Sequence, residues 1–215
     1  MRMDPRHRWV SLLMVSLVIV TVAWSVNSDG PARAAEASVE QAITEFGKKP
    51  EQIKASLAAI HRLLRERPAE LRTAALKHLN ATDPTVRFAA LYALALTAEH
   101  GPSMEALRPF LESKDVNERM RAAVSLVARG EKTALPVLIN ALGSDTLLDR
   151  RPPRSAWELA KSVLVRYTEK DFGLVAAQDG AAAVRTKAAW ERWWTQDGAG
   201  LRWDATKRRY RGATP

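Results

Sequence analysis

Part of this chain is written twice, and that constrains its fold more than any other feature. Asp83-Pro84-Thr85-Val86-Arg87-Phe88-Ala89-Ala90-Leu91-Tyr92-Ala93-Leu94 lies over Asp115-Val116-Asn117-Glu118-Arg119-Met120-Arg121-Ala122-Ala123-Val124-Ser125-Leu126 at an offset of 32 residues. Asp, Arg, Ala and Leu coincide, and Phe88/Met120 and Ala93/Ser125 are alike in size or character. Self-similarity at such a period marks a repeat architecture, in which each unit buries its apolar face only by stacking on its neighbours. A Leu-rich stretch precedes each turn, 105–111 before Asp115 and 133–142 before Asp145, so the unit reads helix, Asp turn, helix. Asp83 and Asp115 are expected to cap helix N-termini. Arg87 and Arg119 are expected to reach an Asp of the next repeat or the carbonyls that end a helix. These four residues are read as architecture.

The flanking segments carry helix signals at the same short spacing. Ala and Leu dominate the apolar set, whereas Phe and Tyr number four and three; that balance favours helix. A linker over 27–37 is expected to lead to Ser38 as the cap of a helix at 39–46. Ile53, Leu57, Ile60 and Leu64 recur at three and four residues, an amphipathic stripe. Pro68 opens the next helix, with Leu71, Ala75, Leu76 and Leu79 on one face. Asp83-Pro84 is a cap followed by a first-turn proline, starting a helix with Val86, Ala90, Ala93, Leu94 and Thr97 inward. Helices are further expected at 103–112, 116–128 and 132–142. Up to Gly143 no alternation of apolar and polar residues suggests a strand.

These units resemble the HEAT-repeat family, in particular the short bacterial phycobilin-lyase-type HEAT-like repeats. The likeness rests on Asp83, Val86, Arg87, Ala90 and Leu94, then on Asp115, Arg119, Ala122 and Leu126, followed by 134–138 and 141–142. Glu118 departs from it, standing where the pattern wants Val. The resemblance implies an all-α fold: a short right-handed α-solenoid of HEAT-like helical pairs, roughly four repeats long. It also implies a scaffold that binds a protein partner and does not catalyse a reaction.

The N-terminus reads as an export segment. Arg2, Arg6 and Arg8 precede an apolar run at 12–26, and Gly30, Pro31 and small residues follow, with an A-x-A pattern at Ala32-Arg33-Ala34. This is the layout of a secretory signal, but the run approaches the ~18 residues that can span a bilayer. Residues 1–37 are thus a cleaved signal, cut near Ala34-Ala35 or Ala37-Ser38, or an uncleaved anchor plus linker. Either way the remainder is expected to be periplasmic or otherwise extracytoplasmic. No cysteine is present, so disulfides, thiolate nucleophiles and Cys-based zinc sites are excluded.

Residues 38–148 form the repeat body and 149–215 a divergent basic repeat and cap. The body is neutral over 35–149, while 150–215 carry fourteen Lys or Arg against seven acids. Trp190, Trp193 and Trp194 sit at i, i+3 and i+4 and share a helix face. They are read as the aromatic seal of the solenoid's end, which a terminal repeat must provide; a binding platform for a sugar or base is the alternative. The stripe Trp157, Ala160, Leu164 and Tyr167 belongs to a helix at 155–167, and 201–204 with 209–211 can pair as a terminal β-hairpin. Arg150, Arg151, Arg154, Lys207, Arg208, Arg209 and Arg211 form a candidate anion-binding end for lipid headgroups or a cell-wall polymer. Nucleic acid is disfavoured as partner by the export signal.

Catalytic signals are weak. None of the four histidines (His7, His61, His78, His100) has a second His or a Glu at i+3 or i+4, the spacing a helical metal site needs. There is no G-x-S-x-G, phosphate loop or dinucleotide fingerprint. No cofactor and no metal is expected. An accessory subunit or lyase-like enzyme ranks third, behind the protein scaffold and the anionic-polymer or nucleic-acid binder.

Overall fold

A computed structural model describes residues 31–46, 53–97, 102–148, 154–173 and 180–212, with the backbone alone for 31–37 and 180. Among these residues the helices are α1 (Pro31–Thr44), α2 (Ile53–Glu66), α3 (Pro68–His78), α4 (Pro84–Thr97), α5 (Pro102–Leu107), α6 (Val116–Val127), α7 (Leu135–Ala141), α8 (Ala156–Thr168) and α9 (Gly180–Asp197). They stack in two layers. Odd-numbered helices pack on one another (α1 on α3, α3 on α5, α7 on α9), and so do even-numbered ones (α2 on α4, α4 on α6, α6 on α8). Within each repeat α3 lies on α4 and α7 on α8. The fold is an all-α solenoid.

Alanine makes the close stacking possible. Ala89, Ala90 and Ala93 of α4 and Ala122 and Ala123 of α6 are fully buried, and short side chains let helix axes approach toward the lower end of the 8–10 Å range. Leu91, Leu94, Leu107, Leu126, Leu135, Leu138 and Leu164 fill the space between the layers.

Local chemistry sets the helix boundaries, and some differ from the sequence reading. α1 starts at Pro31, so the expected linker is partly helix and Ser38 lies mid-helix instead of capping it. Pro31 suits a first turn, and Ala32, Ala34, Ala35 and Ala37 are strong helix formers. The single helix expected at 103–112 breaks at Leu107 into a 3-10 stretch, Arg108–Glu112, because Pro109 cannot donate an α-helical hydrogen bond. Likewise Lys132–Ala134 is a 3-10 turn, and α7 begins at Leu135 with Pro136 in its first turn. Leu76 is exposed, and Ala74 takes the inward position in its place. Trp157 is only half-buried, unlike Ala160, Leu164 and Tyr167 of its stripe.

The repeat caps fall as the periodicity implies, until an insertion shifts them. Asp83 accepts a hydrogen bond from the Thr85 amide at 2.8 Å. Asp115 accepts from the amides of Asn117 (2.7 Å) and Glu118 (3.4 Å). The third unit is capped by Ser155 instead of Asp145. Ser155 Oγ accepts from the Glu158 amide at 3.3 Å while the Ser155 amide donates back to Glu158 Oε2 at 2.9 Å, a capping box. Between them lie β1 (Leu147–Leu148) and β2 (Arg154–Ser155), a minimal antiparallel pair. Pro152 and Pro153, just before the cap, bar an earlier helix start; the basic linker itself, 149–153, lies outside the described residues.

At the far end β3 (Arg202–Asp204) and β4 (Arg209–Arg211) pair antiparallel with Trp203 opposite Tyr210. The apolar run at 12–26 lies outside the described residues, among which no helix is long and apolar enough to cross a membrane.

Candidate functional site

Asp83 and Asp115 are occupied by the caps already described. Arg87 and Arg119 each turn back onto the loop before their own helix. Arg87 Nη1 donates to the Ala81 carbonyl at 2.8 Å, and Arg119 Nη1 donates to the Ser113 carbonyl. Arg87 Nε also donates to Glu118 Oε1 at 2.5 Å, so the inter-repeat acid is a Glu and not an Asp. Glu118, the residue that departs from the repeat pattern, is buried and accepts a second hydrogen bond from Ser113 Oγ at 2.7 Å. A valine there would pack but could not tie one repeat to the next.

The three tryptophans occupy the core side of α9 to different degrees. Trp190 is fully buried and Trp193 is 5% exposed. Their rings meet edge to face at 5.4 Å, and Phe172 closes on Trp190 at 4.9 Å, also edge to face. Trp194 is half-buried, with the backbone of Gly198 lying on its ring. The hairpin adds a second aromatic group, Tyr167–Trp203–Tyr210, at centroid spacings of 6.0 and 5.0 Å. It reaches well past the last helix: Tyr210 Oη donates to the Val127 carbonyl at 3.3 Å, and Trp203 lies against Gly130. Burial pushes the Tyr210 hydroxyl pKa up, and the Glu131 charge adds to that shift.

The described basic residues at the C-terminal end are engaged unevenly. Arg209 forms an ion pair with Glu169, and Arg211 one with Asp204 at 2.9 Å. Lys207 and Arg208 stand exposed in the hairpin turn, and Arg154 lies in β2. Arg150 and Arg151 fall outside the described residues.

A group of side chains that the sequence reading passed over does converge, on the even-numbered helices. Phe88 and Tyr92 of α4 stack in parallel at 6.4 Å. The Arg121 guanidinium, from α6, lies 4.2 Å from the Phe88 centroid and 4.9 Å from that of Tyr92. From α2, His61 Nε2 shares a hydrogen bond of 2.7 Å with Tyr92 Oη. Phe88, Tyr92 and Arg121 are half-buried and His61 is exposed. The signal was present: Phe88 and Tyr92 are an i, i+4 pair flanking the inward stripe, and Arg121 is the 32-residue counterpart of Ala89. His78, by contrast, is occupied with Lys77 in binding Glu40, whose carboxyl those two hydrogen bonds hold below the usual carboxylate range. Among the described residues no three His, Asp or Glu side chains come together as metal ligands.

Lys161 stands one repeat beyond Arg121, six residues after its cap as Arg121 is six after Asp115. Its ammonium is buried and makes no hydrogen bond among the described residues. Burial pulls its pKa down, against the opposing pull of Asp171. Lys161→Met is therefore expected to stabilise the fold at pH 7 by on the order of 1 kcal/mol. A lysine with a lowered folded pKa binds fewer protons folded than unfolded, so wild-type stability rises with pH in that range. The gap between variant and wild type should shrink from pH 7 to pH 10 in thermal melts. A gap that widens would show that the ammonium is stabilised where it lies.

Two layers of paired helices, joined by capped turns and sealed at one end by aromatic rings, define a helical-repeat protein. Residues 73–152 match the family model for HEAT repeats, so that stretch of the chain is similar to HEAT repeats. HEAT repeats generally serve as scaffolds for protein interaction. No curated protein and no solved structure matches the chain.

Proposed function

We propose that this chain is an exported, non-catalytic scaffold that holds a protein partner on its even-numbered helices. The row His61–Tyr92–Phe88–Arg121 carries this reading. Half-buried aromatic rings and a guanidinium drawn from three successive repeats are the side chains that anchor protein interfaces. Much of the remaining charge near the turns is spent on architecture: Glu118, Arg87, Arg119 and Glu158 all serve caps or repeat junctions.

The export half of the proposal rests on the positive flank and apolar run of residues 2–26. Retention of that segment as an anchor is favoured by α1, which runs unbroken through both expected cleavage sites. The anionic-polymer reading is weakened because Arg209 and Arg211 already have internal acids.

Two measurements test the reading. Alkaline phosphatase fused after Ala37 should be active only if the segment exports it, and an inactive fusion sinks the localisation. A Tyr92→Ala/Arg121→Glu variant should keep its helical circular dichroism yet lose the protein that the wild type retains from envelope extracts. Lys207→Glu/Arg208→Glu should retain it. The opposite pattern would move the binding surface to the basic end.

A further inference from the structure

The end of the solenoid that receives the N-terminal segment carries an unpaired basic stripe. On α2, Lys54, Ala58, Arg62 and Arg65 follow at i, i+4, i+8 and i+11, all exposed, on the side opposite buried Ile60 and Leu63. None of the three cations makes a salt bridge or hydrogen bond among the described residues, and no acid interrupts the stripe before Glu66. Several other cations of the first repeats are engaged, Arg67 with Glu70, Lys77 with Glu40 and Arg87 with Glu118, and Arg72 of α3 stands alone instead of in a row.

The fold sets this stripe beside the chain's point of entry. Arg67, just past the end of α2, donates from Nη1 to Ser38 Oγ at 3.2 Å. The C-terminal end of α2, with Arg62 and Arg65, therefore lies near the middle of α1, seven residues or about 10 Å of helix beyond Pro31. Only residues 27–30 separate the apolar run at 12–26 from Pro31. Four residues reach at most about 14 Å, about twice the ~5–8 Å headgroup layer on one side of the hydrocarbon core.

We propose that the α2 stripe docks on anionic lipid headgroups and so fixes the orientation of the solenoid on the membrane. The proposal rests on retention of the N-terminal segment as an anchor. The segment supplies the hold and the stripe supplies the orientation. Basic side chains near such a surface are attracted to anionic lipid, and the attraction decays over a Debye length of about 8 Å at physiological salt. Ala58 between the cations is small, and His61, exposed three residues on, marks the edge where the stripe meets the partner-binding row.

The absence of cysteine makes the test direct. Full-length chain carrying Ala58→Cys with an uncharged fluorophore is reconstituted into nanodiscs that contain a headgroup-quencher lipid. Quenching should be several-fold greater in discs with one-third phosphatidylglycerol than in pure phosphatidylcholine, and should vanish at 0.5 M salt. Adding Lys54→Glu, Arg62→Glu and Arg65→Glu should abolish it while co-purification with discs and helical circular dichroism stay unchanged. A probe at Gln196→Cys, exposed on α9, should remain unquenched in both discs. Equal Ala58 quenching in the two discs, or quenching that survives the triple reversal, overturns the proposal. A chain that co-purifies with neither disc removes the anchor, and the proposal with it. Stable co-purification without anionic-specific quenching removes the stripe's role alone.

Discussion

Trp190→Ala is expected to lower unfolding stability by about 3–5 kcal/mol in urea titration, the range for a buried tryptophan truncated to a methyl group. The side chain is fully buried, and its contacts with Trp193 and Phe172 would open into a cavity that the rigid ends of α7 and α9 cannot collapse. That loss is a large part of the ~5–15 kcal/mol available to a domain. Trp190→Phe should cost far less, because the indole nitrogen makes no hydrogen bond among the described residues and its removal leaves no partner orphaned. Trp194→Ala, at a half-buried site, should fall between them. If Trp190→Ala unfolds within ~0.5 kcal/mol of wild type, the rings do not seal the solenoid.

Gly130→Ala is the second large effect, expected at about 2–4 kcal/mol. Gly130 has φ +88°, and a Cβ there would come within 2.4 Å of Trp203 Cγ. The backbone strain contributes roughly 1 kcal/mol. Displacing a packed indole contributes about 1–3 kcal/mol more. Gly173→Ala separates the two terms: its φ is +99° but nothing lies within 4 Å of the added carbon, so only the strain should appear. Near-ultraviolet circular dichroism should change for Gly130→Ala and not for Gly173→Ala. Equal costs at both sites would mean that Trp203 does not rest on that turn.

The helices and two of the three caps could be read from the chain because they are local events. Asp83-Pro84 and Asp115 act within a few residues, and apolar spacing reports burial on the same scale. The hairpin at 202–211 was legible for the same reason. What escaped the sequence reading depends on residues brought together by stacking. Glu118 looks like a flaw in a pattern until Arg87 is seen reaching it across a repeat junction. Phe88 and Tyr92 look like ordinary helix residues until His61 and Arg121 arrive from either side. Two members of the basic C-terminal end show the converse: adjacency in sequence could not reveal that Glu169 pairs with Arg209 and Asp204 with Arg211.

The bond from Tyr210 to Val127 spans 83 residues, and it changes how such a chain should melt. A solenoid held only by neighbouring repeats unravels from its ends in steps, like a column losing discs. Here the last strand is fastened to a repeat two helix pairs back, so α8 and α9 cannot peel away without breaking that bond and lifting Trp203 from Gly130. The C-terminal half is thereby made into one cooperative block, and fraying is left to the end that lacks such a strap, the α1–α2 pair.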